Sequence, residues 1–373
     1  MIGFRAGWRL PRTSALSVAV AATLCAARAS PSQTPPAAAV RTLRHTEPSC
    51  RRCGWQVGRA QSIREIAGDS SLWFASVTGA ALDGSGRLYV ADGLARRLTQ
   101  VDLRTRSVRT LGREGEGPGE LRMPQLVAPG THGRLFVYDA MLRRVSEFDT
   151  SGVFYRSFRL PVTLHTVWAM VADGAGHLFL SGPAMGEPYR RYVVHKIATD
   201  GSWIASFVER DSGSADEIER MYGDGGVLWW DSLAGSIWFS RGGPSLELLQ
   251  LSTDGTVLRR ILFATPLVPN WASPVEVSPR GSQLGYRPRD RFGTAALVPL
   301  PGGHLANVAR VGEQDRLRYD VFRTRDGAYV ASWIEARRDT PVLGDGRRLV
   351  ITVAPRDEPD LWVHRITFTP PRR

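Results

Sequence analysis

Arginine supplies most of the polar chemistry available to this chain. Its only lysine is Lys196, and arginine pairs recur at Arg96-Arg97, Arg143-Arg144 and Arg190-Arg191, each 47 residues after the last. A guanidinium presents a planar fork of donors suited to carboxylates and phosphates. At a fixed period, one arginine of each pair is expected to serve the repeat. Arg97, Arg144 and Arg191 are the candidates for an outward, ligand-binding role. Histidine is the other group that often carries chemistry. His177 and His304 fall in turns, in the slot held elsewhere by Arg87 and Arg134, and read as surface residues. His195 and His364 share a strand slot and read as hydrogen-bonded packing residues. His165 precedes a strand on the side where a ligand face is expected, and it stays a candidate. Glu114, Glu116 and Glu120 lie in a Gly-rich loop, where Arg113 and Arg122 offset them. Their spacing matches no calcium loop. Cys50-Arg-Arg-Cys53 reads as a local disulfide in preference to a redox pair, and no further ligands stand at a spacing that would make it a zinc site. No G-x-S-x-G, H-E-x-x-H or P-loop pattern is present. Two irregular stretches add candidates. Residues 209–224 are acidic, and a capping box at Ser214-Ala-Asp-Glu217 predicts a short helix to Met221. Residues 264–293 hold five prolines with Trp271, Tyr286 and Arg287. The two stretches carry opposite charge on adjacent repeats. They either cap one another or form a wall of a cleft, so Trp271, Tyr286 and Arg287 are candidate ligand contacts.

The elements that must position these groups form a repeat. Each copy reads as apolar strand, Gly-containing turn, apolar strand, loop, alternating strand, Asp/Gly turn and last strand. Gly86, Gly133, Gly176, Gly235, Gly303 and Gly346 open the second strand of successive copies, at intervals of 47, 43, 59, 68 and 43 residues. The outer turns carry Gly152, Gly201, Gly255 and Gly327, where a positive φ is needed and Asp tolerates its neighbourhood. Four strands per period of about 40–50 residues predict propeller blades. The expected fold is all-β: a six-bladed β-propeller with four-stranded antiparallel blades over residues 55–369. The blades are expected near 74–113, 124–160, 165–208, 225–263, 294–334 and 346–368. The last is one strand short, and the alternating segment Trp55 to Ile66 has no blade of its own. It is expected to close the ring beside the C-terminal strands, which removes exposed sheet edges. Eleven tryptophans, among them Trp229, Trp230 and Trp238, fall mostly in strands and read as packing between blades.

Residues 88–124 run Leu88-Tyr-Val-Ala-Asp92, an arginine four residues on, a strand, and Gly117-Pro-Gly-Glu120 leading to Pro124. This resembles the NHL repeat and is similar to secreted bacterial six-bladed β-propellers. The motif is sharp in the first two repeats and fades in the rest. The resemblance implies that Asp92 and Asp139, with arginines after them, tie the loop between the second and third strands. It implies no particular activity, because that family's functions are varied.

The start of the chain suggests its destination. Arg5, Arg9 and Arg12 precede the apolar run Ala15 to Ala27, and Ala27-Arg28-Ala29 is a cleavage signature, so residues 1–29 read as a secretory signal peptide. A lipidated Cys25 is the lesser alternative, since Leu24 stands where a small residue belongs. Cleavage would take the formal charge from +12 to +8. Residues 30–54, rich in Pro, Ala and Ser and holding Cys50 and Cys53, are expected to be a disordered leader. No other stretch reads as transmembrane. The expectation is a periplasmic or extracellular monomer, a non-catalytic scaffold that binds a peptide, glycan or protein on its loop face without a cofactor. The alternative is a metal-dependent hydrolase or lyase with a divalent metal in the central channel. Secretion argues against nucleic acid as the partner of the basic loops.

Overall fold

Each blade forms because its second strand is buried on both faces between neighbouring blades, while its outer strand turns a polar face to solvent. The computed structural model describes residues 40–45, 49, 54–161, 163–164, 166–186, 189–210, 225–241, 247–263, 293–310, 316–336, 339–354 and 360–369. Blade 1 comprises Val77–Leu82, Arg87–Asp92, Arg97–Asp102 and Val108–Leu111; blade 2 comprises Pro124–Pro129, Arg134–Asp139, Arg144–Asp149 and Phe154–Arg159. Blade 3 comprises Ala169–Ala172, Leu178–Ser181, Tyr192–Ile197 and Trp203–Glu209. Blade 4 comprises Gly226–Asp231, Ser236–Arg241, Glu247–Leu251 and Val257–Phe263. Blade 5 comprises Gly293–Leu300, His304–Arg310, Arg316–Arg323 and Tyr329–Ala336. Blade 6 comprises Thr340–Gly344, Leu349–Val353 and Leu361–Thr369, completed by Gly54–Val57. The pairing within every blade is antiparallel in sequence order, and the first strands of successive blades touch around a closed ring, with Thr340–Gly344 returning to Val77–Leu82. The chain is a six-bladed β-propeller.

Ring closure takes the expected route. Gly54–Val57 pairs antiparallel with Leu361–Thr369, Trp55 opposite Phe368, and Gln61–Ser62 continues on the same strand. Ile63–Ala67, expected in the same strand, is instead a short helix: Ser62 and Glu65 form a capping box, and Gly68 ends the helix at φ 65°. The innermost strand of blade 6, Thr340–Gly344, begins before the expected boundary at 346. It is only five residues long, with a bulge between Pro341 and Leu343 that breaks its alternation. The expected disorder of the leader also needs correction. Arg41–His45 is a strand, parallel to the outer strand of blade 4. Composition concealed its alternation: Leu43 packs beside Ile261 at the blade 4–5 interface, and the His45 ring lies 5.5 Å from that of Tyr329. Ser49 then hydrogen-bonds to the Tyr329 carbonyl on blade 5. Cys50 and Cys53 lie outside the described residues, as do Cys25, residues 1–39 and nearly all of both long insertions.

The described core divides into six apolar clusters, one at each blade-to-blade junction. The outer-turn glycines keep these junctions close. Gly201 has φ 90°, and a Cβ there would lie 2.7 Å from the Phe158 ring of the preceding blade. Gly152 is pressed in the same way by Leu111, Gly255 by Phe207, and Gly327 by Arg259 and Ile261. The repeat therefore requires glycine for space as well as for φ.

Candidate functional site: the loop face of blades 1 to 3

The connections between blades and the loops between second and third strands emerge on one side of the ring, the loop face. On blades 1 and 2 this face is held by buried carboxylates. Asp92 accepts hydrogen bonds from the backbone N–H groups of Ala75, Ser76 and Ala95. Asp139 does the same for Arg122, Met123, Met141 and Leu142. Each carboxylate thus joins the loop after the second strand to the connection leading into its blade. Satisfying several N–H groups at once is what makes a fully buried carboxylate tolerable.

The arginine pairs divide their work in the opposite sense to the sequence expectation. Arg144 donates to the carbonyls of Glu116, Gly117 and Glu120, and Arg97 donates to the Trp73 carbonyl while lying over its ring. These two candidates hold loops. The outward members are Arg96 and Arg143, both in the left-handed region, at φ 55° and 51°. Arg96 pairs with Glu114, whereas Arg143 has no ion-pair partner among the described residues. Arg191 pairs with Glu209 at 2.9 Å on an exposed edge. The acidic loop is neutralised locally: Arg113 meets Glu120 at 2.7 Å, and Arg122 lies 3.8 Å from Glu116.

His177, His195, His304 and His364 make local, structural contacts. His195 bridges Ser206 Oγ and the Gly182 carbonyl, and burial holds its pKa down at about 4. His364 contacts Thr352 Oγ1 and Asp339. His177 sits in its turn beside Asp173, and His304 is more buried than a turn residue should be, with Nδ1 against the Pro301 carbonyl. Burial holds the His304 imidazole below its ordinary pKa. Asn307 Oδ1 accepts from Ser240 Oγ across the blade 4–5 junction. Trp238 is fully buried there. Among the described residues, no group of three or more His, Cys, Asp or Glu side chains could hold a metal ion. The candidates His165, Trp271, Tyr286 and Arg287 lie outside the described residues.

The candidate site that emerges is one the sequence reasoning missed. Five large apolar side chains stand out on the loop face of consecutive blades: Trp73 (51% exposed), Leu94 (72%), Met123 (39%), Met141 (61%) and Met185 (58%). A pocket of about 370 Å³ opens beside Met141 between blades 2 and 3. Tyr138, Met141, Leu160 and Leu164 supply its apolar lining, and Arg143 and Arg159 stand at it. Neither arginine has a hydrogen bond or ion pair through its guanidinium among the described residues. The only sequence signal was the presence of Leu, Met and Trp inside Gly/Asp loops, where polar residues are the norm. Such residues, held out by tied loops, offer polarizable, adaptable contact surface, and the adjacent cations favour an acidic partner.

No family model matches the chain, and no curated protein matches it. Likeness appears among solved structures, all of low identity. A protein described as exported, from Bacteroides fragilis, superposes with TM-score 0.59 at 9% identity, covering 88% of this chain and 99% of the other. A Bacteroides thetaiotaomicron protein of unknown function gives 0.54 at 13% identity, covering 84% and 77%. A gluconolactonase from Xanthomonas campestris gives 0.52 at 14%, covering 86% and 97%. These similarities establish the propeller fold and nothing narrower.

Proposed function

We propose that this chain is an exported, NHL-like propeller that binds an acidic, partly apolar peptide segment of a partner protein on the loop face of blades 1 to 3, without catalysis or a metal. The observation that carries this reading is the run of exposed apolar side chains from Trp73 to Met185, with Arg143 and Arg159 standing at the pocket beside Met141 and unpaired among the described residues. Asp92 and Asp139 make the loops rigid, which lowers the ordering cost of binding. The test is to pan a random peptide library on residues 30–373 and measure the affinity of the enriched peptides by fluorescence polarisation. Enrichment of apolar-acidic sequences is expected, with binding unchanged by EDTA. Met141→Asp or Arg143→Glu should weaken it at least roughly tenfold, about 1.4 kcal/mol. Peptides that bind both variants as well as the parent would refute this placement, and loss of binding in EDTA would favour the metal-dependent hydrolase or lyase.

A further inference from the structure

The junction between blade 6 and blade 1 departs from the four junctions between blades 1 and 5. At the four junctions from blade 1 to blade 5, the outer strand of one blade presses on a glycine in the outer turn of the next. The corresponding turn of blade 1 runs Asp102 to Ser107, closed by Arg106 N–H on the Asp102 carbonyl, as Gly327 N–H closes on the Arg323 carbonyl in blade 5. Arg106 therefore occupies the glycine slot, at φ 64°. The strand that should press on it is interrupted. Gly54–Val57 ends at Gly58, whose N–H bonds to the Arg365 carbonyl, and pairing resumes only at Gln61–Ser62. With no side chain filling this seat, a groove of about 690 Å³ remains.

Its lining has two chemistries. Ile66, Leu103 and Leu349 are partly buried, packed against the cluster at this junction, and form an apolar floor. Arg59, Arg106 and Arg365 stand around it, all exposed, and none forms a hydrogen bond or ion pair through its guanidinium among the described residues. The one acid in the lining is Glu65, whose carboxylate already caps the Ser62 N–H. Three guanidinium groups against the single Glu65 carboxylate leave the lining net positive over an apolar floor, which suits an oxyanion joined to an apolar body. A non-glycine residue held in the left-handed region, where four equivalent turns use glycine, is the kind of strain that persists at ligand sites.

We propose that this groove binds a small amphipathic oxyanion, a carboxylate or phosphate carrying an apolar chain, with Arg59, Arg106 and Arg365 as its anion contacts. Calorimetric titration of residues 30–373 with octanoate and with octyl phosphate tests the proposal, with inorganic phosphate and octanol as the separate halves. Saturable binding of either amphiphile, tighter than that of either half, is expected. Which of the two binds more tightly identifies the head group. Arg106→Gly restores the repeat's own residue, so the fold should survive while affinity falls at least tenfold. The exposed double variant Arg59→Gln/Arg365→Gln should show the same loss. Failure of both amphiphiles to bind, binding no tighter than that of phosphate alone, or affinity unchanged in both variants would overturn the assignment. Because the groove lies on the far side of the ring from Met141 and Arg143, these outcomes are independent of the loop-face peptide assay.

Discussion

Truncating Trp55 should loosen the ring at its closure. Trp55 lies in Gly54–Val57, which pairs with the C-terminal strand to close the ring, and its side chain is only 9% exposed. Its ring packs 4.8 Å from Tyr319 and 5.9 Å from Trp333 at the blade 5–6 junction. Burying an aromatic side chain removes roughly 150–250 Å² from water, worth about 4–6 kcal/mol at about 25 cal/mol per Å². Against this, the indole N–H is buried without a hydrogen-bond partner, a penalty of about 1–3 kcal/mol. The net loss expected for Trp55→Ala is therefore about 3 kcal/mol, within the range of about 3–5 known for such truncations. For a propeller of about 315 residues, with an unfolding entropy of about 0.66 kcal/mol/K, that corresponds to a fall of roughly 4–5 °C in Tm. Trp55→Phe keeps most of the contact and removes the orphaned donor, so it should cost less than about 1 kcal/mol. Thermal unfolding followed by far-ultraviolet circular dichroism measures both variants. A fall of less than about 2 °C for Trp55→Ala, or a Phe variant as unstable as the Ala variant, would refute the reasoning that this strand latches the ring through its indole.

Other outcomes follow from the same geometry. Gly201→Ala should destabilise by about 2–4 kcal/mol, combining overpacking against Phe158 with a Cβ in the left-handed region. Gly84→Ala, which meets no neighbour within 4 Å, should be close to neutral; equal effects of the two in urea unfolding would contradict the packing account. Arg106→Gly should raise stability by up to about 1 kcal/mol, as relief of strain outweighs the added unfolded-state entropy, and a lower Tm would show that the arginine is unstrained. The His195 pKa of about 4 lies below its unfolded value of 6.5, so the unfolded chain takes up the proton first. Stability should be complete above that unfolded value and fall as the pH drops towards 4, by about 2 kcal/mol between pH 7 and pH 5. Half-buried His45 and buried His304 shift in the same direction. Urea midpoints at the two pH values, with His195→Asn as a flatter control, check the sign; a higher midpoint at pH 5 would reverse it.

Much of the fold is legible in particular residues because the repeat writes local chemistry into every blade. Gly152, Gly201, Gly255 and Gly327 mark turns that need positive φ, and the apolar strand runs mark sheets buried on both faces. The less regular elements were obscured by local signals. The short bulged strand Thr340–Gly344 has too little alternation to read, the capping box Ser62–Glu65 turned part of a supposed strand into helix, and the Pro- and Ala-rich composition around Arg41–His45 concealed a strand that exists only against blade 4. The candidate sites were less legible still. Which arginine of Arg96-Arg97 or Arg143-Arg144 faces outward depends on the backbone angle at one loop residue, which spacing does not specify.

By itself, then, the sequence determined the blade count, the turn positions and the closing strand, because each rests on short-range conformational preference repeated six times. The tertiary structure alone decided that Arg97 and Arg144 hold loops, that Met141 and Met185 share an exposed face with Arg143, and that Arg59, Arg106 and Arg365 meet over a common groove. Those residues come from different blades and from both ends of the chain. Only the closing of the ring brings them together, and no local pattern encodes a distance between parts of the chain so far apart.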